Sequence, residues 1–262
     1  MHQIKGLEFF KFLINLKKDF HGTLNELAPK YSPMVKFRLK GKDWYFITEP
    51  EAVKYILKDN YQNYSKDFVR KIVGDLLGEG ILLTDGKRWK GQRRQVAKAF
   101  HYNTFATLIP WVIDYTSDYL IEIENRELNI THSLNTLFLN LSVKTFLGED
   151  INSNQVEVIQ KCMPLYSKLG AIKLRGVFGL PKWIPTPLNY KMKKIEKLLL
   201  NVATEVIAKR KEQLDKGEEK LDALSLMLKQ GEKVSPLEME QQALTFLSAG
   251  SETTSNTTSW AL

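Results

Sequence analysis

Apolar positions in this chain recur mostly at helical spacing and only once with the alternation of a strand. Residues 7–16 place Phe9, Phe10, Phe12, Leu13 and Ile14 among Lys5, Lys11, Lys17 and Lys18, which predicts a short amphipathic helix. Alternation then takes over. Val35, Phe37 and Leu39 are separated by Lys36 and Arg38, Lys40-Gly41-Lys42-Asp43 supplies turn chemistry, and Trp44-Tyr45-Phe46-Ile47 returns, so a β-hairpin is predicted. Thr48-Glu49-Pro50-Glu51 opens a helix, with Thr48 as cap, Glu51 completing a capping box and Pro50 tolerated in the first turn. Its predicted inward positions are Val53, Ile56 and Leu57, and it stops near Asn60.

Residues 60–86 are broken by Gly74, Gly78, Gly80 and Gly86 and read as loop with short helical turns. A helix is predicted from Lys87 to about Phe100. Pro110 predicts a break between a short helix and a longer one carrying Val112, Ile113, Tyr119, Leu120 and Ile123. A further helix over 134–147 stops at Gly148. Gly170, Gly176, Gly179, Pro181, Pro185 and Pro187 make 170–189 a long irregular connection, the kind that forms lids or binding loops. Ile195, Leu198, Leu199, Val202, Val206 and Ile207 then recur at helical spacing up to Gly217, and a short helix follows over 222–228. No repeat or low-complexity tract interrupts this order. The fold class is mainly α, with a small β-hairpin or sheet near the N-terminus.

The 262 residues are 43% hydrophobic and 26% charged, a globular composition with enough apolar material for a sizeable core. A net charge of +8 fits an acidic partner, nucleic acid or a membrane surface, or simply solvated lysine faces; no nucleic-acid partner is expected. Cys162 is the single cysteine, which excludes an internal disulfide, and no Cys/His pair has zinc-ligand spacing. The opening helix is too short and too charged to span a bilayer and has no small-residue cleavage site. It either docks on the core or lies along a membrane surface.

The last predicted helix starts with Ser235 as cap, Pro236 in the first position and Glu238 in the box. It then enters Ala249-Gly250-Ser251-Glu252-Thr253-Thr254-Ser255-Asn256-Thr257-Thr258-Ser259, a run of mediocre helix formers in which Gly250 costs about 1 kcal/mol relative to Ala. Ala249 and Gly250 remove side-chain bulk, so a flat ligand can lie against the backbone. Glu252 and Thr253 set an acid beside an alcohol, a pair able to pass protons. The alternatives are hydroxyls on a solvated face, or a polar loop after the helix. Trp260-Ala261-Leu262 brings neither cap nor tail, which reads as a chain cut within the helix. In the basic helix, Trp89 and Arg93 are four apart and share a face. An indole N–H and a guanidinium there make a two-donor clamp for a carboxylate; a surface cation–π pair or a core tryptophan fits equally. Lys87, Arg88, Lys90, Arg94 and Lys98 make the same helix strongly positive.

Together these features resemble the cytochrome P450 family over essentially the whole chain, as a partial domain spanning 1–262. The resemblance rests on the hairpin followed by Thr48-Glu49-Pro50-Glu51, on Trp89-x-x-x-Arg93 in a basic helix, on the Pro-rich connection near Pro181 to Pro187, and most specifically on Ala249-Gly250-Ser251-Glu252-Thr253-Thr254. It implies haem b (iron protoporphyrin IX) as cofactor, with Trp89 and Arg93 on its propionates and Ala249 and Gly250 lining its distal face. It implies that Glu252 and Thr253 deliver protons to bound dioxygen in a monooxygenase acting on a lipophilic substrate. Residues 64–84 and 170–189 would shape the substrate pocket. Electrons would come indirectly from NAD(P)H through a ferredoxin or flavoprotein reductase docked on the basic helix. The family's cysteine loop, whose thiolate pushes electron density toward the iron, lies beyond the central helix and is not in this sequence. Cys162, in Lys161-Cys162-Met163-Pro164, reads as an ordinary buried residue. The chain alone is therefore expected to be inactive, and a non-catalytic helical binding module or a non-functional truncated fragment are the alternatives. The expected location is cytoplasmic, or membrane-associated if the start is truncated.

Overall fold

The computed structural model describes residues 2–31, 33–39, 41–100, 102–148, 151–175, 184–218, 222–229 and 234–262. Contacts cluster into two compact units, Met1–Ser65 and Lys66–Leu262.

The first unit holds the sheet. Strand β1 (His2–Ile4) runs parallel to β2 (Met34–Leu39), which pairs antiparallel with β3 (Lys42–Ile47), in the order β1-β2-β3. The hairpin of the sequence reading is present, with Val35 opposite Phe46 and Phe37 opposite Trp44. Its turn is tight because Gly41 takes φ +74°, a conformation that favours glycine. Strand β1 was not foreseen, since three residues are too few to show alternation. Helices α1 (Gly6–Lys18) and α2 (Phe20–Tyr31) belong to the same unit. Phe12 and Leu27 from these helices join Ile4 and Val35 in a small core, while Leu7, Phe10 and Ile14 of α1 remain exposed.

The capping reading at Thr48 is corrected. Thr48 extends the hairpin instead: its backbone N–H and its hydroxyl both donate to the Pro33 carbonyl, at 3.1 and 3.3 Å. Glu49 takes the cap position without a side-chain bond, and Pro50 opens α3 (Pro50–Lys54). The helix continues as a π turn over Tyr55–Asp59 and ends before a 3₁₀ turn at Tyr61–Asn63. Of the positions predicted to face inward, Ile56 is half-buried, whereas Val53 and Leu57 are exposed.

The second unit is helical. Its elements are α4 (Asp67–Leu77), α5 (Gly86–Ala99), α6 (Tyr102–Ile123), α7 (Ile130–Leu147), α8 (Ser153–Arg175), α9 (Pro187–Asp215), α10 (Ala223–Leu228) and α11 (Pro236–Ala261). Helix α11 packs most extensively on α7 and also on α9, and its residues 241–247 are all buried. Leu139, Val143, Ile159, Met163, Ile195, Leu199, Leu244 and Leu247 form the centre of the core.

Three expectations change here. Helix α4 occupies part of the region read as loop: Leu76 and Leu77 are buried in the core, and their burial outweighs the ~1 kcal/mol penalty of Gly74. Pro110 lies inside the continuous helix α6; a proline removes one ladder bond and bends a helix without having to end it. Helix α8 continues through the buried Gly170 to Arg175, which shortens the irregular connection. Residues 176–183, including Gly176, Gly179 and Pro181, lie outside the described residues. Helix α9 then begins with Thr186 accepting the Asn189 N–H at 3.1 Å and Pro187 in the first turn. Among the described residues no helix is long and apolar enough to cross a membrane.

Candidate functional site

The site is built from α5, α11 and the segment that leads into α5. Most of the polar chemistry of α5 is already engaged. Arg88 pairs with Glu79 and, at 2.7 Å, with Glu238. Partial burial opposes the charge on Arg88, but these two carboxylates still hold its guanidinium above the ordinary value. Gln92 is buried; its amide donates to the Glu79 carbonyl at 2.6 Å and to Glu238 at 2.7 Å, and its oxygen accepts from Thr84 at 2.5 Å.

Arg93 is different. It is exposed, and no carboxylate among the described residues pairs with it. It opens onto a cleft of about 510 Å³ whose walls include Ile81, Leu82, Phe100, Phe246 and Ala249. The aromatic part of this wall is packed: the Phe100 and Phe246 ring centroids are 5.5 Å apart, and Phe146 stacks on Phe246 at 5.3 Å. Apolar walls, a bare alanine and one unpaired guanidinium fit a flat, apolar group that carries a carboxylate. Trp89 is half-buried one turn before Arg93 and is not among the residues lining the cleft.

Ala249 and Gly250 do not act as one bare step. Ala249 lines the cleft. Gly250 turns toward α7, where an added Cβ would stand 2.9 Å from Ser142 Oγ and 3.0 Å from Phe146 Cε2. The missing side chain at Gly250 therefore serves the close approach of α7.

Glu252 and Thr253 are both exposed but address different surroundings. Glu252 lines a second cavity of about 250 Å³, together with Asn135 from α7, Lys168 from α8, and Ser248 and Asn256 from α11. Thr253 donates its hydroxyl proton to the Ala249 carbonyl at 2.7 Å, one turn back at the edge of the cleft. Its neighbours behave alike: Ser251, Thr257, Thr258 and Ser259 each donate to the carbonyl four residues earlier, at 2.7 to 2.9 Å. The polar run stays helical because its hydroxyls bond the helix's own backbone.

Sequence reasoning missed the buried amides Gln92, Gln241 and Gln242. The one available signal was the Gln241-Gln242 pair at the start of the mainly apolar stretch that runs to Leu247. Cys162 is buried in α8, and desolvation pushes its thiol above the usual range. Among the described residues no group of three or more His, Cys, Asp or Glu side chains is placed to hold a metal ion.

Comparison with known proteins places the fold in a family. The cytochrome P450 family model matches residues 3–262. The chain is 27% identical to the chloroplastic protein LUTEIN DEFICIENT 5 of Arabidopsis thaliana, over 92% of this chain and 44% of that protein. It is 26% identical to the cyclooctat-9-en-7-ol 5-monooxygenase of Streptomyces melanosporofaciens, over 87% of this chain and 50% of that protein. The chloroplastic carotene epsilon-monooxygenase of Arabidopsis thaliana is 23% identical over 89% of this chain and 47% of its own length. In fold the chain matches retinoic acid-bound cyanobacterial CYP120A1 with a TM-score of 0.71 at 21% identity, covering 90% of this chain and 53% of that one. The chain thus spans about half the length of the curated relatives it matches. With a mainly helical fold, a small sheet near its start and a family match over nearly every residue, the chain belongs to the cytochrome P450 family.

Proposed function

We propose that this chain forms the propionate clamp and distal wall of a haem monooxygenase that inserts one oxygen atom of O2 into a lipophilic substrate. The observation that carries this reading is the convergence of Arg93 and Ala249, from distant parts of the sequence, on one apolar cleft. Arg93 would bind a propionate, with Trp89 one turn earlier as second donor. Ala249 would lie against the flat face, and Phe100 and Phe246 would exclude water beside it. When bound, haem supplies the redox centre at which dioxygen is activated. The lipophilic substrate class is supported by two relatives named as monooxygenases, one of them of carotene.

The acid and the alcohol divide the proton handling. Glu252 takes a proton at its carboxylate from the cavity that it shares with Lys168 and Asn256. Thr253 already donates its one proton to Ala249, so the free lone pairs of Oγ1 accept a hydrogen bond from a group in the cleft and hold it in place. Electrons come ultimately from NAD(P)H through a ferredoxin or flavoprotein reductase, received on the exposed Lys87, Lys90 and Arg94 of α5. Cys162 is too buried to act as a thiolate ligand. The chain by itself therefore seats haem without thiolate ligation and does not turn over substrate.

Haemin titrated into the purified chain and followed by Soret absorbance tests the clamp. Saturable binding is expected, and Arg93→Ala should weaken it by roughly tenfold or more, the loss of one charge-assisted contact worth ~1.5–3 kcal/mol. Equal affinity in the variant, or no uptake by the folded parent, would overturn the reading.

A further inference from the structure

Residues 78–85 join α4 to α5, and two of them, Ile81 and Leu82, form one wall of the cleft. Connecting segments are ordinarily among the more mobile parts of a protein. This one is tied down from two sides. On the side of α11, the Glu79 N–H donates to Gln241 Oε1 at 2.6 Å and the Ile81 N–H donates to Gln242 Oε1 at 2.8 Å. Between them Gly80 sits so close to α11 that an added Cβ would run into Thr245 Oγ1 and stand 3.1 Å from the Gln241 carbonyl. On the side of α5, Gln92 holds the Glu79 carbonyl and Arg88 holds the Glu79 carboxylate. Residue Glu79 is therefore gripped by both helices, one carrying Ala249 and the other Arg93.

We propose that Gln241 and Gln242 are positioning residues, which lock residues 78–82 onto α11 and so set the wall and width of the cleft. The proposal rests on the haem reading for what the cleft receives, but not for the lock itself. The chemistry is specific: both glutamines act through an amide oxygen that accepts a backbone N–H, so an isosteric apolar side chain fills the space but cannot hold the loop.

Gln242 separates this role from mere packing. Its Nε2 is buried without a partner among the described residues. Gln242→Met deletes the bond to Ile81 and also removes the unmet donor, two effects of opposite sign on global stability. The melting temperature should change little while the loop loosens. Amide hydrogen exchange and haemin titration on the purified chain read both. In Gln242→Met, exchange at residues 79–82 should rise about tenfold and haemin affinity should fall by several-fold. Gly80→Ala should do the same by pushing the loop outward, and serves if the first variant fails to fold. Ile159→Ala, a fully buried core change on α8, should lower the melting temperature without selective exchange at 79–82. Unchanged exchange at 79–82 in the Gln242 and Gly80 variants overturns the lock, and faster exchange with unaltered haemin affinity overturns its positioning role. If the parent chain takes up no haemin, the haem reading fails, and the exchange data alone decide the lock: a selective rise at 79–82 supports it and its absence sinks it.

Discussion

The two halves of α11 direct their polar side chains in opposite ways. In the first half the long ones reach other elements, while Thr245 donates to the Gln241 carbonyl of the same helix. Ser235 caps the helix by accepting the Glu238 N–H at 3.2 Å, Glu238 goes on to Arg88 and Gln92 rather than closing the box, and Gln241 and Gln242 hold the 78–85 segment. In the second half most hydroxyls return to carbonyls of the same helix. Long amides and acids can bridge between elements, and short hydroxyls mostly cannot. Ser255, buried against Asn135 of α7, is the exception. The helix is thus over-determined by its surroundings up to Leu247 and largely self-sufficient beyond it. A stretch whose exposed hydroxyls bond its own backbone needs no polar partner from another element beside a cleft, and it is there that Ala249, Glu252 and Thr253 sit.

The sharpest test of this division is at its boundary. Leu247 is fully buried, and Leu247→Ala should cost about 2–5 kcal/mol through lost burial and a residual cavity. Denaturant unfolding measures it, and a loss below ~1 kcal/mol would break the claim that the first half is held by packing.

A smaller effect is expected at Gly250, three residues on. Gly250→Leu should destabilise the ligand-free chain by about 1–3 kcal/mol through overpacking against Ser142 and Phe146, offset in part by a helix-propensity gain of ~1 kcal/mol. If the melting temperature of the ligand-free chain does not fall, Gly250 faces open space and belongs with Ala249 after all.

The same division explains what could be read in the sequence. The chemistry of the second half could be proposed from the sequence because it is written in one unbroken run, Ala249 to Ser259, and Trp89 and Arg93 could be paired because helical spacing alone puts them on one face. The cap at Ser235 was also readable, since it bonds a backbone N–H only three residues ahead. The role of Gly250 was not, because whether a bare position meets a ligand or a neighbouring helix depends on α7, more than a hundred residues earlier in the chain. Arg210 shows the same limit. In the sequence it is one cation among many on a long helix, yet it is buried against Asp222, Ser225 and the Leu147 carbonyl. Gly148, at φ +81°, lies so close that an added Cβ would stand 2.5 Å from its guanidinium. Local pattern predicts what a residue does within its own element; contacts between elements decide the rest.

The smallest stability effect should come from the most consequential residue for the proposed chemistry. Thr253 is exposed, and its hydroxyl only doubles a bond at the Ala249 carbonyl that the helix ladder already approaches. Alanine is the better helix former, so Thr253→Ala should shift unfolding by no more than ~0.5 kcal/mol, and toward greater stability. Its functional effect should be large. Without Oγ1 the acceptor that Thr253 offers at the edge of the cleft is lost, so the group to be protonated is held less firmly. In an enzyme complete with its thiolate ligand, NAD(P)H consumption should continue while product per NAD(P)H falls. Measured together, the two quantities test the contrast directly: a Thr253→Ala variant that loses stability places Thr253 with the packed half of α11, and one that keeps full coupling removes it from proton delivery.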